Sequence, residues 1–201
     1  MCHLRLRLMV ALGVITCLCF SKPAFASDPL DYTRDTLEQA RAVVASDRTH
    51  NDKLAALSAL FGKFLDTDFM GREALGRHWS EFTPGQQKEF LGLFRELLER
   101  TYVQKLLLFD NPKFQYVSEA ESNGEARVDT NIVTPRDNFS VVYRLRLEGG
   151  GWYATLITVE DVSLTANLGS QLDHLLSRQS PEDLLTMLRK RYGRTTEGVR
   201  S

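Results

Sequence analysis

The sequence predicts an α+β fold: a curved antiparallel sheet of about four strands, with N- and C-terminal helices packed on one face. Three observations lead there. Apolar residues recur at spacings of three and four before Phe109 and again after Leu164, the helical signature. Between them the period drops to two, the signature of strands with one face towards a core. No stretch is rich enough in Pro, Gly or Ser to divide the chain, so a single domain over residues 27–192 is expected, between a leader (1–26) and a flexible tail (193–201).

The leader comes first. Arg5 and Arg7 precede an apolar run from Leu8 to Phe20, followed by Ala24-Phe25-Ala26, the small-x-small pattern of a signal-peptidase site. The run is short of the roughly 20 residues that span a bilayer, so it reads as a cleaved export signal and places the chain in a bacterial periplasm. Cys2, Cys17 and Cys19, the three cysteines of the chain, would leave with it, and the remaining domain must hold together by packing alone.

Leu37, Ala40 and Val44 mark a first helix and Leu54, Leu57, Phe61 and Phe64 a second, with a break at 47–51. A short helix is expected from Asp66–Asp68 to about Arg77. Thr83 as N-cap, Pro84 at the first helical position and Gln86 in the capping-box place start a long helix that runs to about residue 108. Its early turns are amphipathic: Phe90, Phe94, Leu97 and Leu98 share one face, and Arg95, Glu96, Glu99 and Arg100 the other. In the closing stretch "TYVQKLLLF" this pattern fails. Val103, Leu106 and Leu107 fall where the charges were, so the helix ends apolar nearly all round, and a second covering surface is required.

Phe114 to Glu119 reads as a first strand. Ala126, Val128, Thr130 and Ile132 alternate with polar residues in a second, and Phe139, Val141, Tyr143, Leu145 and Leu147 in a third. Gly149-Gly150-Gly151 turns the chain into a fourth, "WYATLITVEDV". There Trp152 and Leu156 alternate against Ile157 and Val159, and a bulge near Thr155 would bring both sets to one face. Leu168, Leu172, Leu175 and Leu176 form the next helix. Ser180-Pro181-Glu182-Asp183 caps a last one bearing Leu184, Leu185 and Leu188.

Several function classes find no support in these residues. The formal net charge is −1, and no basic run with interleaved aromatics suggests a nucleic-acid partner. His50, His78 and His174 lack the spacing of a metal pair. Ser170 does not sit in a nucleophile elbow, and no phosphate-cradling glycine loop occurs. The chain reads as no enzyme, with no cofactor and no metal.

Two segments carry a resemblance. Leu75, Gly76, Trp79, Thr83, Pro84, Phe94, Leu97, Leu98, Thr101 and Tyr102 match one stretch of the MlaC family of periplasmic phospholipid-binding proteins. Tyr143, Leu145, Trp152, Val159-Glu160, Val162-Ser163-Leu164, Asn167 and Ser170-Gln171 are similar to its strand-to-helix signature. The order is right over roughly residues 55 to 191. Leu168, Gly169 and Leu172 depart from the family's usual Tyr-Arg and Phe; Asp161 stands for a usual Gly and Leu156 for a usual Asp. These departures leave open whether the lipid is a phospholipid or another apolar lipid, such as a hopanoid.

The resemblance implies a periplasmic carrier that shuttles phospholipid between inner and outer membranes. Its implied partners are an MCE-domain ABC transporter in the inner membrane and an outer-membrane lipoprotein complex. It also implies an apolar cavity, because each methylene withdrawn from water is worth about 0.8 kcal/mol and acyl chains must be covered. The walls implied are Tyr102, Val103, Leu106, Leu107, Val128, Ile132, Val141, Tyr143, Leu145, Trp152, Val159, Val162 and Leu164. The same side chains also suit a solid core, as an adaptor, a chaperone or a hydrolase would have.

Overall fold

The computed structural model of the chain describes residues 28–108 and 112–193; the expected export signal, and the tail beyond Gly193, lie outside them. Two helices lead: α1 (Pro29–Ala45), capped by the Asp28 carboxylate, and α2 (His50–Phe64), capped by Thr49. α3 (Thr67–Leu75) is capped by Asp66 and passes into a 3₁₀ segment, Gly76–Glu81. α4 (Pro84–Leu98) starts on the Thr83–Gln86 capping box that the sequence shows. It does not continue as α-helix to residue 108. A π-helical turn, Glu99–Val103, intervenes before α5 (Gln104–Leu106).

That turn alters the phase of the helix end. A wider turn sets each following side chain back from its α-helical bearing. Val103 is thereby 7% exposed and joins the cluster beneath the sheet, with Leu106 and Leu107 packed half-buried against it.

Five strands follow, one more than expected: β1 (Lys113–Ser122), β2 (Glu125–Val133), β3 (Asn138–Glu148), β4 (Gly151–Val159) and a short edge strand β5 (Val162–Ser163). They form an antiparallel meander in the order β1-β2-β3-β4-β5. Asn123-Gly124 and Gly149-Gly150 both have positive φ, as tight two-residue hairpins of this hand require. The register slips once on β1, after Tyr116, and once on β4, where Thr155 is the additional residue between Ala154 and Leu156. The second slip is the bulge foreseen near Thr155. It places Trp152 and Ala154 on the same face as Ile157 and Val159, but leaves Leu156, expected inward with Trp152, on the outer face beside Arg144.

The chain closes with α6 (Leu164–Leu176) and α7 (Pro181–Tyr192), the latter on a Ser180–Asp183 capping box. Two buried clusters result. One lies among the helices and joins Met70, Leu75, Phe90, Phe94, Leu172 and Leu184 from α3, α4, α6 and α7. Gly71 and Gly169 permit it: a Cβ at Gly71 would meet Leu91 at 2.8 Å, and one at Gly169 the Ala74 carbonyl at 3.1 Å. The second cluster lies between α1, α2 and the inner sheet face. His78, 6% exposed, bridges the first turn after α3 to α6, with Glu81 at 2.8 Å and Asp173 at 3.0 Å. No sequence spacing linked it to Asp173.

Candidate functional site

The inner face of the sheet can be read in rows across the ladders. Phe114, Ile132 and Phe139 stand side by side; Tyr116, Thr130, Val141 and Val159 form the next row; Val128, Tyr143 and Ile157 the next; then Ala126, Leu145 and Ala154; and last Leu147 and Trp152. The helices above do not cover these rows evenly. Over the first three rows they stand off and enclose a chamber of about 460 Å³. Over the last rows the space is filled.

The chamber walls come from α1 to α5, strands β1 to β4 and the first residue of α6. α1 gives Leu37, Ala40, Arg41 and Val44; the end of α2 gives Phe61 and Leu65; α3 gives Met70. The end of α4 and its continuation give Leu98, Tyr102, Val103, Lys105 and Leu106. Opposite stand Phe114, Ile132, Phe139, Val141, Tyr143, Ile157 and Val159, with Pro112 and Leu164 at the margins.

Of the wall residues expected from the sequence, Tyr102, Val103, Leu106, Ile132, Val141, Tyr143, Val159 and Leu164 therefore line the chamber. The others do not. Leu145 and Trp152 are 1% and 3% exposed and belong to the packed part of the same cluster, because their positions along the strands fall beneath the filled end; Val128, 0% exposed, stands in the third row beside Tyr143 but is fully covered and does not reach the hollow. Leu107 packs half-buried outside the lining. Val162 pairs with the lining residue Val159 at the sheet edge, past the 160–161 turn, but stands 52% exposed and outside the lining. The α1 and α2 walls were missed from sequence: a helical apolar stripe looks the same whether it meets protein or a hollow.

Polar groups in and near the chamber are few and engaged. Thr130, 1% exposed, donates its hydroxyl to the Val141 carbonyl at 3.1 Å. Tyr143 meets Phe64 edge-on at 5.7 Å, and burial pushes its phenol far above the ordinary tyrosine range. Tyr116 donates to Glu38 at 3.4 Å beneath the Arg34 guanidinium; burial, and then the Glu38 charge, push it up to about 12. Both phenols are held neutral, so the interior offers no anion. At roughly 30 Å³ per water-sized group, the chamber holds about fifteen methylenes, one acyl chain's worth, with further length left to the open end.

A larger hollow, about 770 Å³, lies outside the sheet between Arg127, Arg144 and Arg146 and the helices α3 and α6. Its arginines and Glu73, Glu121 and Glu125 make it a polar groove of mixed charge. Arg127 is held by Asp129 at 2.6 Å and Arg146 by Asp66 at 2.9 Å. Acyl chains would lie there beside charged groups and open water, whereas the inner chamber offers an almost wholly apolar surface.

The places where this chain departs from the resemblance sort cleanly. Leu168 and Leu172 are buried in the helical cluster, and Gly169 is required by the close Ala74 carbonyl. Asp161, at φ 62°, takes a left-handed turn position that Asp tolerates, and Leu156 faces the outer groove. None of them lines the chamber.

Comparison with known proteins gives a consistent result. Residues 31–190 match the family model described as MlaC protein. The intermembrane phospholipid transport system binding protein MlaC of Haemophilus influenzae is 23% identical over 133 residues, 63% of this chain and 62% of that protein, so the match spans less than two thirds of this relative. Among solved structures, the phospholipid-binding protein from Ralstonia solanacearum, in complex with a phospholipid, superposes with a TM-score of 0.74 at 21% identity. That match covers 83% of this chain and 97% of the other.

Proposed function

The chain belongs to the MlaC family, and from that premise we propose that it is a periplasmic phospholipid carrier. It receives lipid at one membrane, covers the acyl chains and releases them at the other, as the soluble component of an ABC-type lipid transport system. The observation that carries this reading is the chamber: an apolar hollow of about 460 Å³ held open in a domain whose remaining interior is packed. Proteins keep few voids of this size without a use for them, because each forfeits the contacts that close packing would supply.

A phospholipid is favoured over a hopanoid or another polycyclic lipid because the departures from the family pattern leave the lining untouched. An adaptor or chaperone with a solid core is disfavoured by the chamber itself. The chain supplies no energy source, so the driving step belongs to an inner-membrane MCE-domain ABC transporter, with an outer-membrane lipoprotein complex at the other end of the route. Catalysis has no part in this scheme.

The test is the content of the protein as cells make it. Protein purified from the periplasm of its own host and denatured for mass spectrometry should release phospholipid at close to one molecule per chain. Protein that arrives free of any lipid, from cells rich in it, would sink the carrier reading; a stoichiometric polycyclic lipid would replace only the phospholipid part.

A further inference from the structure

Of the described residues that line the chamber, Arg41 and Lys105 are the charged ones, and both are cations. They stand at its open end. Lys105 is exposed and Arg41 half-buried, whereas Leu37, Met70, Val141 and Tyr143 are 1–4% exposed. α1 packs along β1 in the opposite direction, with Leu30 near Glu119 and Glu38 at the Tyr116 hydroxyl, so Arg41 is carried towards Phe114 at the start of the strand. Lys105 neighbours Leu106 and lies ahead of Pro112 and Phe114, lining residues of that same end.

A third cation is close by: Lys53 donates its Nζ to the carbonyl of Val44, itself a lining residue, at 2.8 Å. Arg41 is partly engaged, with Glu38 at 2.7 Å. Among the described residues no carboxylate pairs with Lys105, whose Nζ lies 6.0 Å from the centre of the Tyr102 ring.

On the carrier reading given above, we propose that this cationic mouth reads the lipid headgroup. Arg41 and Lys105 contact its phosphate, and the protein prefers a phosphodiester headgroup of net negative charge to a zwitterionic one. The chamber wall excludes any charged group, so a bound lipid must leave its phosphate at the mouth. There the phosphate meets fixed positive charge. An ammonium on the same headgroup would be pressed against that charge, while a glycerol would not. Lys105 is the stronger determinant, because among the described residues no carboxylate competes for it.

The experiment uses mixed vesicles of phosphatidylglycerol and phosphatidylethanolamine with identical acyl chains. Delipidated full-length protein is incubated with them and re-isolated, and its bound lipids are counted by mass spectrometry. Both lipids come from one vesicle, so a change in the protein's attraction to the surface affects them equally and cancels in the ratio. Wild type should enrich phosphatidylglycerol about fivefold over the vesicle composition, the size of one ion-pair contact in a largely hydrated site. Lys105→Glu should bring the ratio among the lipids it retains to parity or below, and Lys105→Arg should keep the wild-type ratio.

An unchanged ratio in Lys105→Glu, with normal total lipid, would overturn the headgroup assignment and leave the carrier reading standing. Absence of bound lipid in wild type would instead overturn the carrier reading and this proposal with it. Inorganic phosphate supplies the remaining arm. The proposal expects neither binding nor competition at millimolar phosphate, and tight binding of phosphate alone would show an oxyanion site independent of lipid.

Discussion

At one end of the inner sheet face Leu145, Ala154 and Trp152 are at most 3% exposed, within a cluster that includes Leu57 and Phe64. At the other end Phe114, Ile132, Val141 and Ile157 face α1 and the α4 extension across the chamber. The residue types hardly differ. What differs is how the covering elements are tied down. At the filled end the chain leaving α2 is fastened to the sheet: Leu65 bridges Ala154, and the Asp66 amide donates to the Ala154 carbonyl at 3.0 Å. At the hollow end the lid is the segment 99–108, and among the described residues no backbone hydrogen bond joins it to a strand. An apolar face closes up where its cover is fixed to it and stays open where the cover hangs from its own helix.

The sharpest way to break this comparison is to place the same charge at each end. Leu145→Glu would bury an unpaired carboxylate in packed surroundings and should yield unfolded or aggregated protein. Leu106→Glu should give a folded, soluble protein that carries no lipid, because its carboxylate lies at a chamber margin where water can enter. Circular dichroism and mass spectrometry check fold and cargo. Equal collapse of both variants would return Leu106 to the core. The alanine pair grades the same contrast, with about 2–5 kcal/mol lost at Leu145 and a smaller loss at Leu106 in denaturant unfolding.

Filling the space is the next probe. Val141→Trp adds bulk where the chamber has room, so bound lipid should fall severalfold while stability drops by about 1 kcal/mol or less, below the 1–3 kcal/mol usual for overpacking a closed core. A full lipid load in this variant would show that the sheet is not a wall of the site.

The smallest effect is alkaline. The folded-state phenols of Tyr116 and Tyr143 are raised above their unfolded value, so the protein binds more protons folded than unfolded above pH 10. Stability is therefore whole below about pH 10 and declines as pH climbs towards 12. Phenolate absorbance should show both tyrosines titrating late, together with the loss of fold. Early, reversible titration of either, with the fold intact, would mean that the hollow end is wetter than described.

Much of this fold was written in local chemistry. The caps at Thr83 and Ser180 declare α4 and α7, and the alternation along β2 and β3 declares the inner face. The bulge at Thr155 could be anticipated because two apolar sets of opposite parity share one strand. The slip after Tyr116 left no such mark, since a charged Glu119 follows it. The chamber was half legible. Its sheet wall follows from parity, but parity runs on unbroken to Leu145, and nothing in the residues says where filling ends and hollow begins. That boundary depends on the height of α1 and α2, a long-range property. Lys105 went unremarked for a related reason, because a charge on an apolar helix end reads as an ordinary solvated residue until the opposite wall is known.

The π turn at Glu99–Val103 also bears on how such a site can change over descent. A turn of this kind is equivalent to a helix that has gained one residue. Losing a single codon within it would restore regular winding and swing everything downstream by about 100°. Val103 and Leu106 would turn out of the chamber without any substitution among them. The shape of the chamber thus depends on chain length at one point. Insertions and deletions in this turn should be rarer among members of the family than exchanges of one aliphatic residue for another in the wall.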